Sequence, residues 1–480
     1  VGSESKRNRE QKMTTSDSGT HLAGEAPAAS KFTTAYRARL LIILLLMSAF
    51  NIADRQGLAI TSPAIKRDLA LSDTQLGLLL GLGYAIFFAL LALPIARLAE
   101  HKSRTKIIAV AVAVFGVMLA LCGSAQNFWQ FFLYRIGVGA GDAGFGPPVA
   151  SLVGDHYTLH KRASAMGIIW LGAPLGAISG AILGGWFAQN LGWRMWFVAL
   201  GVPAVILSLV AGLTLRDPPR GMSDPVSTGT ARPPSIFKVL GFLWSKRSYR
   251  HILLGAALAA TSMGSYAAFL PRFLVSTFHT NLSHTGLYLG LMSGTAMASG
   301  MLLGGLGLDA IGKNERRWYV WGPSLGLVIS GPLFILAVLQ GTVAAAIAVL
   351  FFAHITLFIY WTPTLAMAQN MVGANMRASS GFIISLVVSL IGMGLGPTFI
   401  GIFSDRFAHL AFDAGNFAVM CPGSAPPPGA SALLIHACTD ASARGVRYAL
   451  IVMALPLIWA SLHYFLSSRA LTKDLDTYYR

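Results

Sequence analysis

Charged side chains are scarce in this sequence. They make up 11% of its 480 residues, against about 25% in a soluble globular chain, so most of its surface must face something other than water. Residues 40–52, 107–122 and 343–352 hold no Asp, Glu, Lys or Arg at all. Acidic residues are rarer still, 19 against 36 Lys and Arg, for a net charge of +17. There is no H-E-x-x-H zinc motif and no nucleophile elbow, so nothing supports catalysis. Three cysteines are present. Cys122 lies in an apolar run and reads as a small packing residue. Cys421 and Cys438 bracket a Pro/Gly/Ser-rich stretch, and whether they form a disulfide is left open at this level. No cleavable signal peptide is visible.

What is present is long apolar runs. A hydrocarbon core of about 30 Å needs roughly 20 apolar residues per helix. Twelve segments meet this: 39–65, 72–97, 106–125, 127–157, 162–189, 192–215, 250–279, 283–307, 316–339, 343–369, 375–403 and 445–467. The expected fold is an all-α polytopic membrane protein. Interior prolines (Pro94, Pro174, Pro203, Pro332, Pro397) are compatible with it, because neighbouring helices satisfy the freed backbone groups. Residues 1–36 are polar and expected to be disordered, with 1–12 resembling a remnant ahead of Met13.

The positive charge follows the membrane, which removes the case for nucleic-acid binding. Lys102, Arg104, Lys106, Lys161, Arg162, Arg216, Arg220, Arg232, Lys238, Lys246, Arg247, Lys313, Arg316 and Arg317 all fall on one side of the spans, with Lys66, Arg67, Arg194 and a few residues after Arg406 opposite. This asymmetry predicts that both termini are cytoplasmic, in a bacterial inner membrane.

The chain repeats itself. Leu71-Ser72-Asp73-Thr74 returns as Leu282-Ser283-His284-Thr285, and Ala96-x3-Glu100-x2-Ser103-Arg104 returns as Gly305-x3-Asp309-x2-Gly312-Lys313. Gly172-x-Pro174-x-Gly176 is echoed by Gly394-x-Gly396-Pro397. The expected layout is a six-helix bundle at 37–216, a linker at 217–249 with a short amphipathic helix, and a second bundle at 250–468. A long outer loop at 404–444 and a tail at 469–480 complete it. Parallel six-helix halves suit a rocking transporter with a midplane site.

The G-x3-D-x2-G-[RK] loop resembles the signature of the major facilitator superfamily. The second copy is intact, whereas the first has Ala96, Glu100 and Ser103 in place of Gly, Asp and Gly. The resemblance implies that Glu100, Arg104, Asp309 and Lys313 form ionic latches on the cytoplasmic face.

Ionisable residues in mid-membrane are costly and read as functional. Asp54 lies about fifteen residues from the inner end of the first span, and Asp142 about fifteen from the outer end of the fourth. Both therefore sit roughly 22 Å along, at a shared depth. They are the candidate proton-coupling pair, with Arg55 and Arg135 as charge partners. Asp54 and Arg55 diverge by about 100°, so Arg55 is expected to reach Asp142 or a substrate anion, and Arg135 to sit nearer the outer gate. A carboxylate that gains or loses an arginine changes its proton affinity, a route to coupling; a static lock between helices is the alternative. The second half has no matching carboxylates. Its candidate cavity lining is Ser265, Tyr266, Phe269, Phe358 and Trp361, with Arg272 at an outer helix end and His354 a satisfied core histidine.

Asn51-Ile52-Ala53-Asp54-Arg55-Gln56, Leu71-Ser72-Asp73-Thr74-Gln75-Leu76-Gly77, Pro94-Ile95-Ala96-Arg97-Leu98-Ala99, Ala125-Gln126-Asn127-Phe128-Trp129-Gln130, Arg135-Ile136-Gly137-Val138-Gly139 and Pro147-Pro148 together resemble the Spinster group of that superfamily. The group usually carries Glu where this chain has Asp142. The resemblance implies a proton-linked carrier of a lipid-like or amphipathic substrate, acting as a monomer in the bilayer without cofactors, protons being the coupling ion. Proton-linked organic-anion symport, drug antiport and a non-transporting receptor are the alternatives.

Overall fold

The structure is a computed structural model and describes residues 32–157, 159–219, 235–373, 376–424, 427 and 429–479. Most of the N-terminal segment and residues 220–234 of the linker therefore lie outside the described residues. In chain order the spans are α1 (Thr34–Asp68), α2 (Asp73–Ala99), α3 (Arg104–Cys122), α4 (Phe128–Asp142 and Gly146–His156), α5 (Ser164–Asn190), α6 (Trp193–Thr214), α7 (Arg247–Phe278), α8 (Leu282–Gly312), α9 (Trp318–Val338), α10 (Val343–Asn370), α11 (Ser379–Leu410) and α12 (Ala432–Leu475). Eleven are long and apolar enough to cross a membrane. The other, α4, breaks immediately after Asp142. A short helix, Ile236–Ser245, precedes α7.

Several of the strings singled out in the sequence are helix starts. Ser72 and Gln75 form a reciprocal capping box on α2, with bonds of 3.1 and 3.0 Å. Asn127 caps α4 through the Gln130 amide at 3.0 Å. Each such cap is worth about 1 kcal/mol. In the second half the cap of α8 is Asn281, so the repeated Leu-Ser pair falls inside that helix instead of capping it. Weak points also match between the halves. α5 is interrupted at Leu171, three residues before Pro174, and α11 runs as a π-helix over Val388–Leu395, just before Pro397. Proline has no N–H for the preceding turn, and the local winding adjusts around it.

One boundary differs clearly from expectation. α11 continues to Leu410 and α12 begins at Ala432, so the outer loop covers 411–431 instead of 404–444. The added turns are amphipathic, and hydropathy alone ends them too early; Ser431 caps the start of α12.

We call the face where α1 begins and α12 ends the terminal face, and the other the far face. The halves meet on the far side of the molecule, where α2 packs on α11, α5 on α8 and α7 on α1. Glycine makes these approaches possible. A Cβ on Gly286 would lie 2.2 Å from the Ala181 carbonyl oxygen, and one on Gly77 would lie 2.1 Å from that of Pro397. Towards the terminal face, the ends of α4, α5, α10 and α11 pack chiefly on their own halves. The protein is thus closed at the far face and parted at the terminal face. Gly286→Ala is expected to wedge α5 from α8, producing a longer far-face distance between spin labels on these two helices; an unchanged distance would show the contact to be compliant.

Candidate functional site

Midway along its spans the N-terminal half brings four ionisable side chains together. Asp54 of α1 and Arg135 of α4 are 0% and 1% exposed, and Arg135 Nη1 donates to both Asp54 oxygens at 2.9 and 2.8 Å. Arg55 Nη2 donates to Asp142 Oδ2 at 3.0 Å, while Asn51 Nδ2 donates to Asp142 Oδ1. Tyr84 of α2 accepts from Arg55 and lies under its guanidinium, 4.3 Å from ring centroid to Cζ. The pairing follows from antiparallel helices. α4 descends from the far face as α1 rises, so Arg135 meets Asp54 while Arg55 reaches back to Asp142. Arg135 therefore closes on Asp54, two turns nearer the far-face end of α4 than Asp142. The pairs also differ in access: the Arg55 side chain is 24% exposed, that of Arg135 2%.

Next to Arg55 on α1, Gln56 opens onto a narrow cleft between the halves. α1 contributes Gln56 and Ile60, α7 contributes Met263, Tyr266, Ala267, Leu270 and Pro271, and α8 contributes Leu289, Met292, Ser293 and Met297; Ala177 and Ala181 of α5 and His354 and Phe358 of α10 complete it. Its lining carries no Asp, Glu, Lys or Arg. Tyr266 and Phe358 line it as expected; Ser265, Phe269 and Trp361 do not. Ser265 is fully buried and donates to the Thr261 and Gly396 carbonyls, both at 2.8 Å. Phe269 is fully buried in the C-terminal core and Trp361 is half-buried against it. The α7 residues on the cleft recur at helical spacing as one stripe, and positions 265 and 269 fall on the opposite side of the helix.

The far-face closure holds a second charge network that the sequence reading did not assemble. Asp73, 1% exposed, forms ion pairs with Lys66 and with Arg272 of α7 and accepts from the Ser404 hydroxyl of α11 at 2.7 Å. Asp405 of α11 accepts from the Asp73 and Thr74 amides at 3.0 and 2.8 Å. One half thus supplies the carboxylate that satisfies orphan donors at a helix N-terminus of the other. Cys421 and Cys438 are joined by a disulfide. The turn it anchors reaches the first half, where Ser424 Oγ accepts from Lys66 Nζ at 2.7 Å. Gly423, at φ 64°, lies against Ala70 in a left-handed conformation that favours glycine.

In the repeated loops, the bonds of Arg104 and Asp309 stay within their own halves and the adjoining linker. Arg104 is 1% exposed and stays within its own half and the adjoining linker, bonding Asp155, Ser151, Asp217 and the Pro218 carbonyl. Asp309 is exposed and accepts from the Tyr319 hydroxyl at 2.8 Å, and Lys313 is exposed. The side chain of Glu100 is outside the described residues.

A family model, the Major Facilitator Superfamily, matches residues 44–397. The chain belongs to the major facilitator superfamily. Within this superfamily it is Spinster-like. It superposes with a TM-score of 0.82 at 29% identity on a bacterial homologue of the human lysosomal transporter Spinster, in an inward-facing and unoccupied conformation, over 92% of this chain and 99% of that one. It is 28% identical to an MFS-type efflux pump of Mycolicibacterium smegmatis, over 76% of this chain and 83% of the relative. It is 24% identical to the sphingosine-1-phosphate transporter SPNS2 of Danio rerio, over 76% and 75%. The superfamily and its fold are those of transporters.

Proposed function

We propose that this facilitator-superfamily protein is a proton-coupled carrier of a lipid-like or amphipathic substrate, working by alternating access in a bacterial inner membrane with its terminal face cytoplasmic. One observation carries the reading: the N-terminal half holds a cluster of four ionisable side chains, and Gln56, next to Arg55 on α1, lines an uncharged, methionine-rich cleft formed largely by the C-terminal half. Such division suits a substrate with an apolar body, accommodated by pliable methionines.

Of the two carboxylates, Asp142 is the better coupling site, because its partner Arg55 borders accessible space. Asp54, sealed against Arg135, acts as a lock between α1 and α4. When the helices rock, a loosened Arg55 contact changes the proton affinity of Asp142. The lysine- and arginine-rich connections at the terminal face support its cytoplasmic placement, and the chain acts as a monomer with no cofactor besides the proton.

The test is transport in proteoliposomes bearing a pH gradient, with a panel of lysolipids and amphiphilic amines. Substrate-driven proton movement in the parent protein that falls at least tenfold in Asp142→Asn is expected. Equal proton movement in the variant would remove Asp142 from the coupling role.

A further inference from the structure

The cleft has one histidine in its lining, His354. His354 of α10 is 6% exposed and lines the cleft. Its Nδ1 lies 2.8 Å from the Leu350 carbonyl oxygen. A carbonyl has no proton to give, so Nδ1 must carry one. In the neutral imidazole the remaining nitrogen, Nε2, is then a lone-pair acceptor. The ring is held in place: it packs edge-on to Phe334 at 5.1 Å, and Phe334 stacks on Tyr266 at 3.7 Å. Tyr266 offers the cleft only its ring, because its hydroxyl donates to the Leu450 carbonyl at 3.1 Å.

The surroundings give this acceptor its meaning. Met263, Met292, Met297 and Phe358 form the nearby apolar wall, and the other polar lining groups are Gln56 and Ser293. A ligand entering such a wall sheds its water. A hydrogen-bond donor placed at Nε2 recovers the lost bond, whereas an ether, carboxylate or phosphate oxygen at the same point meets a lone pair and leaves two acceptors unsatisfied. Anionic groups have a better place near Arg55.

We propose that His354 is a specificity-determining residue that accepts a hydrogen bond from a hydroxyl on an otherwise apolar substrate segment, so the C-terminal half selects hydroxylated amphiphiles over acylated or etherified ones. This rests on the cleft being the substrate site. Sites built to bond a hydroxyl discriminate strongly against analogues lacking it.

The experiment uses the full chain in nanodiscs at pH 8 and two probes, 1-monolauroylglycerol and its di-O-methyl ether, which share a chain but differ in hydroxyl donors. Binding is measured by calorimetry for the parent, His354→Phe, His354→Gln and the cleft-filling Met292→Trp. The parent is expected to favour the diol about tenfold. His354→Phe should lose that preference while still binding the ether, and His354→Gln, which keeps an acceptor, should retain part of it. Met292→Trp should weaken both probes. A preference undiminished in His354→Phe, or absent in the parent while Met292→Trp still weakens binding, overturns the role of His354 and leaves the cleft as the site. Binding of both probes unaffected by Met292→Trp, or no binding at all, overturns the cleft as the substrate site and this inference with it.

Discussion

Replacing Asp73 with asparagine is expected to open the far face. The carboxylate lies between Lys66 and Arg272, and all three are at most 5% exposed. Asparagine is nearly isosteric, so packing survives, but two buried cations lose the charge they face. Removing one partner of a buried ion pair costs about 3–5 kcal/mol. That cost falls on the closed state, because the same side chains are hydrated once the halves separate. A bias of this size shifts the ratio of the two states by about 10²–10⁴. The measurement is acylation of Lys66 by a membrane-impermeant reagent supplied at the far face, read by mass spectrometry. Labelling in Asp73→Asn should rise at least tenfold. Asp405→Asn should produce a smaller rise, because Asp405 accepts from the Asp73 and Thr74 amides and the Thr74 hydroxyl and acts on Lys66 and Arg272 without a direct ion pair. Labelling unchanged in both variants would show that the helix contacts alone hold the face shut.

The second large effect belongs to the midplane lock. Arg135→Leu leaves Asp54 at 0% exposure without its cation, again a loss of about 3–5 kcal/mol. The variant is expected to unfold at a markedly lower temperature in detergent. Asp54→Asn combined with Arg135→Leu should recover much of that stability, because the uncompensated charge is gone. Arg55→Leu should behave differently: its side chain is partly exposed, so stability falls less while proton coupling suffers. Equal destabilisation by Arg135→Leu and Arg55→Leu would contradict the division into a structural and a coupling pair.

The individual charges were legible in the sequence because an aspartate inside an apolar helix stands out at once. Asp54, Asp142, Arg55 and Arg135 were all found in that way. Their pairing was less legible. Depth follows from counting along a helix, but partner choice depends on helix rotation and on the reach of an arginine, which spans more than a turn. Only one of the two pairs, Arg55 with Asp142, was anticipated. Asp73 and Asp405 were hidden for another reason. Each sits toward the far-face end of its helix, outside the apolar middle of the span, and Arg272 and Ser404 for Asp73, like the α2 amides for Asp405, come from the other half of the chain. Tyr266 and Phe358 line the cleft, whereas Ser265 and Phe269 show that a repeat offset transfers position along a helix without establishing which side faces the cleft.

The sequence by itself determined the solvent, the helices and the halving of this protein, because hydropathy, caps and repeated motifs are local properties of the chain. Twelve apolar runs require helices in lipid, and Ser72 or Asn127 states where one begins. Tertiary structure alone decided which carboxylate is sealed against its arginine and which has a partly exposed one, where the halves close on each other, and which side of α7 lines the cleft. Those outcomes depend on contacts between residues as distant as Asp73 and Asp405, which no local pattern encodes.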